Sequence, residues 1–482
     1  MRLRPVLYAT GLMTAALGAA MMPPALLDYL DDASDWRIFA LLGFLAMVSG
    51  GVLSLATYQK DERVRVHEAF VLTVTVWGAL TLVGAGPFLG YGMSLTDAFF
   101  ESMSGLTTTG ATVITGLDNL PRGVLLWRAI LQWIGGIGII VTAIAILPML
   151  KVGGMQLFQM ESSDASGKFL PRVSEIASQT GLVYVGLTAL CAALYRVAGM
   201  GDFDALAHAF TTVSAGGFST TDESFGAFVS GGADMVAIVF MMLAGLPFGL
   251  MVLALRGNLT AFLRDPQPRV FFFIAISAAT LMTLYISRAA PELIGPEGPI
   301  RAATFNVVSI LTGTGYGTTN FGAWGPFASA LFLVLMFLGG CAGSAACGMK
   351  TFRIHITFLA LQAYARGMAR PNRVAPVRYA GRIVRRETMQ SIMLFMFLYL
   401  ASFAVLASAL AMMRDIDAVT AISAAAASIS NVGPGLGEMV GPTGTYQDFP
   451  VLAKWLCAFA MLLGRLELIA AFVILSPRFW RG

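Results

Sequence analysis

The chain has 482 residues, of which 57% are hydrophobic and 12% charged, and its formal net charge at pH 7 is +4. Soluble domains carry roughly 45–50% apolar and about 25% charged residues, so this composition excludes a water-soluble globular protein. Apolar stretches of about 20 residues, long enough to cross a membrane core, recur along the whole chain. We therefore expect an all-α polytopic membrane protein.

Ten membrane spans are predicted in chain order. They cover residues 5–24, 36–58, 68–89, 124–150, 174–198, 232–256, 269–288, 325–349, 387–412 and 450–475. Four shorter apolar segments lie between spans, at 96–106, 203–212, 301–311 and 417–429. A helix of about ten residues rises about 15 Å, which is half a bilayer core. Each short segment is therefore expected to enter the membrane and return through a loop that lines a water-filled cavity.

A glycine-bearing segment follows each short helix at a nearly constant period. The four segments are Thr107–Ala111, Val213–Gly217, Gly313–Gly317 and Asn431–Gly435. The glycines taken as equivalent are Gly110, Gly216, Gly315 and Gly433, with separations of 106, 99 and 118 residues. Four copies of helix, short helix, glycine loop and helix predict one pore, in which backbone carbonyls replace the water shell of a monovalent cation. Tight turns in packed membrane loops are the alternative.

The starts of the short helices support a cation pore. Three of the four carry an aspartate, at Asp97, Asp204 and Asp417, where a helix start favours a carboxylate. The third short helix has Arg301 instead and breaks the pattern. If the helices start outside, the negative ends of four helix dipoles face the cavity in which a cation would sit.

Charge predicts the orientation. With both termini cytoplasmic, 22 of the 31 Lys and Arg residues fall on the inside, eight, including Arg128, fall on the outside, and Arg465 lies within a span. This distribution obeys the positive-inside rule. The short helices therefore enter from the outside.

The predicted span 325–349 is unusually rich in small residues. It contains Gly339, Gly340, Gly343, Ser344 and Gly348. One interpretation is a small-residue face that packs against a neighbouring helix. The other is a broken helix whose middle forms a flexible loop beneath the pore loops.

Two ionisable residues are outliers, because charge within a span is costly and usually faces a cavity or a partner. Lys350 either belongs to this loop or begins the cytoplasmic end of its helix. Arg465 either donates hydrogen bonds to loop carbonyls or places a positive charge beside the pore.

Several of these segments resemble the pore loops of Trk-type potassium uptake proteins, in the Trk/Ktr/HKT superfamily. They are Glu101–Thr112, Ala215–Thr220, Gly339–Ser344 and Asn431–Gly437. The third loop, Gly313–Gly317, departs because it is richer in glycine. The resemblance implies four membrane–pore–membrane units plus two extra N-terminal helices, and potassium uptake across the bacterial inner membrane. It also implies a homodimer with one pore per subunit, an intramembrane loop that acts as the gate, and an arginine in the last inner helix.

The resemblance divides the chain into an N-terminal extension, residues 1–66, and four repeats. The repeats cover 67–172, 173–267, 268–386 with a broken inner helix, and 387–482. The residues expected to bind potassium through filter carbonyls are Thr108, Thr109, Gly110, Ser214, Ala215, Gly216, Gly313, Thr314, Gly315, Asn431, Val432 and Gly433. The residues expected to form the gate are Gly339, Gly340, Gly343, Ser344, Gly348, Lys350 and Arg465.

Potassium at these carbonyls is the only metal expected, and no covalently bound cofactor is expected. The resemblance implies a cytoplasmic ring of regulatory subunits, which would bind the nucleotide, NAD or ATP. The chain's own cytoplasmic loops are too short for a dinucleotide-binding domain, and the ring would meet Lys151–Arg172 and Arg353–Arg386. Membrane lipid is an expected neighbour, and nucleic acid is not.

Two other function classes compete with a channel-like uptake protein. A secondary transporter, coupling potassium to protons or sodium, is typically built from inverted repeats with broken helices. Here four repeats enter from one side, which disfavours that class without excluding it. An intramembrane enzyme is not expected, because the spans show no inward-facing carboxylate pair, Ser/His pair or metal cluster.

Overall fold

The structure is a computed structural model that describes residues 3–59, 66–145, 169–289, 291–295, 297–369, 376–466, 468, 472–474 and 476–481. Two parts of the predicted docking regions, residues 151–168 and 370–375, lie outside these described residues. So does Glu467, next to the end of the last long helix.

The described residues are mostly helical. The helices are α1 (Arg4–Ala20), α2 (Met22–Leu30), α3 (Trp36–Thr57), α4 (Val66–Gly90), α5 (Leu95–Leu106), α6 (Arg122–Ala145), α7 (Phe169–Val197), α8 (Asp202–Val213), α9 (Ala233–Ala244), α10 (Phe248–Leu255), α11 (Leu259–Arg264), α12 (Pro266–Ala289), α13 (Gly298–Thr312), α14 (Pro326–Phe337), α15 (Thr351–Ala369), α16 (Arg386–Ala411), α17 (Ala418–Ser430), α18 (Val451–Arg465) and α19 (Pro477–Arg481). A two-stranded antiparallel hairpin, β1 (Arg378–Tyr379) and β2 (Arg382–Ile383), precedes α16.

Among the described residues, seven helical stretches are long and apolar enough to cross a membrane, the first being α1 together with α2 (Arg4–Leu30), and the number is eight if the bent pair α9–α10 counts as one span. Three predicted spans differ from single straight helices. Residues 232–256 form α9 and α10, which are bent by 97° at Gly245–Pro247. Residues 325–349 begin with α14, but the helix ends at Phe337. In 450–475, α18 ends at Arg465, and part of the remaining segment lies outside the described residues.

The four short helices form at the predicted places, as α5, α8, α13 and α17. The Ser94 hydroxyl accepts a hydrogen bond from the N–H of Asp97, and the Asp417 carboxylate accepts from the N–H groups of Val419 and Thr420, as N-caps do. Arg301, which breaks the acidic pattern, forms an ion pair with Asp234 at the start of α9.

The N-terminal extension is clamped to the start of α6. Helices α1 and α3 approach closely at facing glycines, where a Cβ on Gly11 would lie 2.7 Å from the Gly50 carbonyl oxygen. In α2, the Asp28 carboxylate accepts hydrogen bonds from the Gly123 N–H at 2.6 Å and the Tyr91 hydroxyl at 3.1 Å. The extension thereby caps the N-terminus of α6.

Candidate ion-conduction site

The four glycine-bearing segments share one backbone conformation. Immediately after the short helices, one residue of each segment adopts a left-handed backbone: Thr108, Ala215, Gly313 and Asn431, with φ of 50°, 53°, 74° and 52°. Two residues later come Gly110, Gly217, Gly315 and Gly433, with φ of 84°, 77°, 81° and 98°. Between these positions, the N–H groups of Thr109, Gly216, Thr314 and Val432 each donate to the carbonyl five residues earlier.

This shared geometry shifts the equivalence of the second segment by one residue. Gly217 has the backbone of Gly110, and Gly216 corresponds to Thr109. The equivalence predicted for Gly216 is therefore wrong, and so is the alignment of Ser214 and Ala215 that depends on it. Because Gly216 and Gly217 are adjacent, composition and spacing alone do not separate them. The positive φ does, since L-residues with a side chain disfavour it.

The four segments contact one another in chain order, and the fourth contacts the first, so they form a closed ring. A Cβ atom added to one of the four glycines would overlap a carbonyl oxygen of the next segment. The overlaps pair Gly110 with Gly216 O, Gly217 with Thr314 O, Gly315 with Val432 O, and Gly433 with Thr109 O. The oxygens of Thr109, Gly216, Thr314 and Val432 therefore lie at the boundaries between neighbouring segments, where a side chain would block the approach.

A cavity of about 300 Å³ opens beside this ring. Residues from all four segments line it, including Gly110, Gly217, Gly315 and Gly433. Polar groups of the following loops, among them Thr115 and Asp222, also contribute. In the described part of the chain, no group of three or more His, Cys, Asp or Glu residues could hold a metal ion. A cation in this ring would be coordinated by backbone oxygens.

Arg128 of helix α6 supports the ring by contacting residues next to the first two segments. Arg128 is 1% exposed and pairs at 2.8 Å with Glu101 of α5, which is fully buried. Its guanidinium also donates to the Ser219 carbonyl at 2.8 Å and lies 4.1 Å from the centre of the Phe218 ring. Glu101 accepts from the Val113 N–H. Arg128, which the charge count places on the outer side, is thus buried in an ion pair that links the first two segments.

One helical turn later, Gln132 contacts the second segment. Its amide donates to the Gly216 carbonyl at 2.7 Å and accepts from the Phe218 N–H at 3.0 Å. Polar residues four apart in an apolar helix share one face, and this was the signal available in the sequence for the Arg128–Gln132 pair.

Side chains of the segments themselves complete the ring. The Tyr316 hydroxyl lies 2.5 Å from the Thr211 hydroxyl at the end of α8. The Asn431 amide donates to the Thr109 hydroxyl at 2.9 Å and to the Met461 carbonyl at 2.8 Å. The Tyr446 hydroxyl donates to the Gly433 carbonyl at 3.1 Å. Each segment is thus tied to a neighbour or to a supporting helix.

Residues 338–350 form a non-helical loop between α14 and α15. Gly343 and Gly348 have φ of 73° and 75°, a backbone that interrupts a helix. The interpretation of these glycines as a helix packing face is therefore wrong, and the broken helix is the observed geometry. A Cβ on Gly339 would overlap the Cys347 carbonyl oxygen, so the two ends of the loop run against each other.

The loop is hydrogen-bonded to the backbone at the bend between α9 and α10. The N–H of Cys341 donates to the Gly245 carbonyl at 2.8 Å, and the N–H of Ala345 donates to the Ala244 carbonyl at 3.1 Å. The Gly343 carbonyl accepts from the N–H of Phe248 at 3.0 Å. Breaking α9 at Gly245 thus frees backbone groups that the loop uses, which is how irregular backbone is tolerated at membrane depth.

A further bond joins the loop to the start of α12. The Ala342 N–H donates to the buried Gln267 side chain at 2.9 Å. The N–H of Gln267 in turn donates to the Asp265 carboxylate at 2.8 Å. Burial raises the pKa of the Asp265 carboxyl above its ordinary value.

Arg465 connects the loop to the base of the ring. Its side chain is buried and donates to the Cys347 sulfur at 2.6 Å and to the Gly135 carbonyl of α6 at 3.1 Å. The same sulfur lies 3.6 Å from the Thr108 hydroxyl. The Lys350 ammonium turns back to the Ala346 carbonyl at 2.6 Å, so Lys350 belongs to the loop. Cys347, which the sequence prediction omitted, is the point where loop, arginine and ring meet.

Comparison with known proteins places the chain in a family. The sequence model of the TrkH family, described as "Cation transport protein", matches residues 37–481. The chain belongs to the TrkH family of cation transport proteins. It is 37% identical over 484 residues to the Trk system potassium uptake protein TrkI of Halomonas elongata, covering 100% of this chain and 97% of the relative.

Two further TrkH proteins match along the full length. Identity is 36% over 491 residues to the Trk system potassium uptake protein TrkH of Escherichia coli K12, with 100% of both chains covered. The crystal structure of the potassium transporter TrkH from Vibrio parahaemolyticus matches with a TM-score of 0.91 at 34% identity, with 100% of both chains covered. The predicted family and the helical membrane fold are confirmed, and the family is one of transport proteins, not enzymes.

Proposed function

We propose that this TrkH-family member takes up potassium across a bacterial inner membrane through the ring of four glycine-bearing segments. The observation that carries the proposal is the closed ring of carbonyl oxygens between Gly110, Gly217, Gly315 and Gly433. Carbonyl rings of this kind replace the hydration shell of potassium. The relatives from Halomonas elongata and Escherichia coli are called potassium uptake proteins, which supports the choice of cation.

The proposed filter keeps the predicted residues of three segments and moves the second by one. It consists of Thr108, Thr109, Gly110, Ala215, Gly216, Gly217, Gly313, Thr314, Gly315, Asn431, Val432 and Gly433. The C-terminal ends of α5, α8, α13 and α17 precede it, so their helix dipoles favour a cation there.

The proposed gate is the loop 338–350 together with Arg465. A loop held beneath the ring by Gly245, Gln267 and Arg465 obstructs the exit from the filter until these bonds are rearranged. Its glycines allow the backbone to change conformation without collision of side chains.

The proposed assembly is a homodimer with one pore per subunit and both termini cytoplasmic. The repeat boundaries at 67, 173, 268 and 387 belong to this proposal. A cytoplasmic ring of separate regulatory subunits, binding NAD or ATP, would dock on the basic inner face, including residues 353–386. The relatives are named as parts of a Trk system, which favours further components. Coupling of potassium to protons or sodium is the second candidate function.

The deciding experiment is flux and current measurement in proteoliposomes of the purified chain. We expect labelled rubidium uptake to follow the potassium gradient and the reversal potential to follow potassium rather than sodium. A reversal potential that does not distinguish potassium from sodium would contradict the proposed filter. Uphill accumulation of rubidium driven by a pH or sodium gradient, in the absence of a potassium gradient and a membrane potential, would establish coupled transport instead.

A further inference from the structure

Gln132 makes two hydrogen bonds to the second segment of the ring, one through the nitrogen and one through the oxygen of its side-chain amide. The side chain lies on α6 and is fully buried. Its Nε2 donates to the Gly216 carbonyl at 2.7 Å, and its Oε1 accepts from the Phe218 N–H at 3.0 Å. One side chain thus fixes the peptide units on either side of Gly217, the glycine with the positive φ.

This contact singles out one of the four ring carbonyls. The oxygens of Thr109, Gly216, Thr314 and Val432 occupy equivalent positions between neighbouring segments. Among the residues that the structure describes, only the Gly216 oxygen of these four accepts a hydrogen bond. The Gly216 oxygen, on the side of the ring that faces α6, therefore differs chemically from the other three ring oxygens.

The contact also explains why the segment has two consecutive glycines. A Cβ atom on Gly216 would lie 2.5 Å from the Gln132 Oε1 and 2.9 Å from its Nε2. Gly217 is required by its φ of 77°. A side chain at Gly216 would displace the Gln132 amide from the position in which it makes both hydrogen bonds.

An amide N–H on a carbonyl oxygen has two effects on a bound cation. It uses one of the two lone pairs of that oxygen, so the oxygen interacts less strongly with an ion. It also restrains the oxygen's position, so the ring cannot contract freely around a cation smaller than potassium. Both effects disfavour sodium, which needs closer and stronger oxygen ligands to compensate for its lost hydration shell.

We propose that Gln132 is a specificity-determining positioning residue of the pore, acting through the Gly216 carbonyl on discrimination between potassium and sodium. This inference rests on the proposed potassium-selective filter. If the wild-type protein does not distinguish the two cations, the proposed function fails. If the wild type distinguishes them and the Gln132 variants do so equally well, this inference alone fails.

The first test is Gln132→Leu, measured as the sodium-to-potassium permeability ratio in proteoliposomes. The variant keeps the bulk of the side chain and removes both hydrogen bonds. We expect the ratio to rise about tenfold, which corresponds to about 1.4 kcal/mol of lost discrimination. The matched control is Gln267→Leu, which removes the buried amide bonded to Ala342 of the loop. It is expected to change total flux and leave the ratio unchanged.

The second variant, Gln132→Glu, is nearly isosteric and guards against misfolding of the leucine variant. In the acid form, the introduced carboxyl can still donate to the Gly216 oxygen. In the ionised form it can only accept, and it repels that oxygen. We therefore expect the permeability ratio of this variant to rise with pH, whereas that of the wild type stays constant. A wild-type, pH-independent ratio in either folded variant overturns the inference.

Discussion

Replacing Arg465 with alanine tests whether a positive charge restrains ion flow beneath the ring. The guanidinium donates to the Cys347 sulfur at 2.6 Å, and that sulfur lies 3.6 Å from the Thr108 hydroxyl. The two distances add to 6.2 Å, so the charge lies within 6.2 Å of the lowest residues of the ring. In the proposed filter, a cation that leaves past Thr108 would come close to this charge.

The size of the barrier follows from that distance. Two like charges about 6 Å apart repel by roughly 3 kcal/mol at an effective dielectric constant of about 20, and by less where water screens them. Each 1.4 kcal/mol is about tenfold in rate. We therefore expect Arg465→Ala to raise potassium flux by about tenfold, with roughly a hundredfold as the upper limit.

Two further variants distinguish the effect of the Arg465 charge from the effect of its hydrogen bonds to the loop and to α6. Arg465→Lys keeps the charge but loses the planar donor fork that reaches both Cys347 and Gly135. Cys347→Ala keeps the charge and removes the sulfur. Rubidium flux into proteoliposomes, without any partner protein, is measured for all three variants and wild type.

If charge is the barrier, flux is high in the alanine variant at 465 and close to wild type in the other two. Equal increases in all three would show that the hydrogen bonds, not the charge, hold the loop. Unchanged flux in Arg465→Ala, with normal stability, would refute the electrostatic argument altogether.

Two further predictions concern the ring and the support of the loop. Gly217→Ser and Gly110→Ser should both raise relative sodium permeation, because both glycines have positive φ and face a neighbouring carbonyl. Gly249→Ser is the control, since a Cβ atom there meets nothing within 4 Å. A wild-type reversal potential in the Gly217 variant would contradict the equivalence of Gly217 with Gly110. Burial raises the pKa of Asp265, so the ionised carboxylate is disfavoured in the folded protein. Its stabilising contribution is therefore greatest below the ordinary aspartate pKa and is lost as pH rises through the raised value. In detergent at pH 7.5, Asp265→Asn should melt at a higher temperature than wild type, and the difference in melting temperature should shrink toward pH 4.5. A difference in melting temperature that grows on acidification would exclude this explanation.

Much of the architecture follows from local patterns in the sequence. The four short helices were predictable because their length and apolar composition, and in three of them an acidic start, are local properties, as the caps at Ser94 and Asp417 show. The break at residue 338 was predictable as one of two alternatives, since clustered glycines permit both a packing face and a loop. The structure decides between them through the backbone of Gly343 and Gly348.

The features missed by sequence analysis depend on contacts between distant segments. The shift from Gly216 to Gly217 depends on a backbone angle that two adjacent glycines adopt equally well. The 97° bend at Gly245–Pro247 lies in a segment that is apolar throughout, so its hydropathy resembles that of a straight span. The roles of Arg128 and Gln132 require the knowledge that α6 passes behind the first two segments. No local pattern contains that information.

The closure of the ring has a consequence for how the protein is made. The last contacts join opposite ends of the chain, since Asn431 bonds to Thr109 across 322 residues and Lys454 bonds to Asp97 across 357. At a synthesis rate of about 5–20 residues per second, the first segment waits roughly 15–65 s for the fourth to emerge from the ribosome. During this time the first segment lacks the neighbour that closes the ring. The ring therefore cannot close before the fourth segment has been synthesised, and a chain that ends before residue 431 would lack the Asn431–Thr109 contact that joins the last segment to the first.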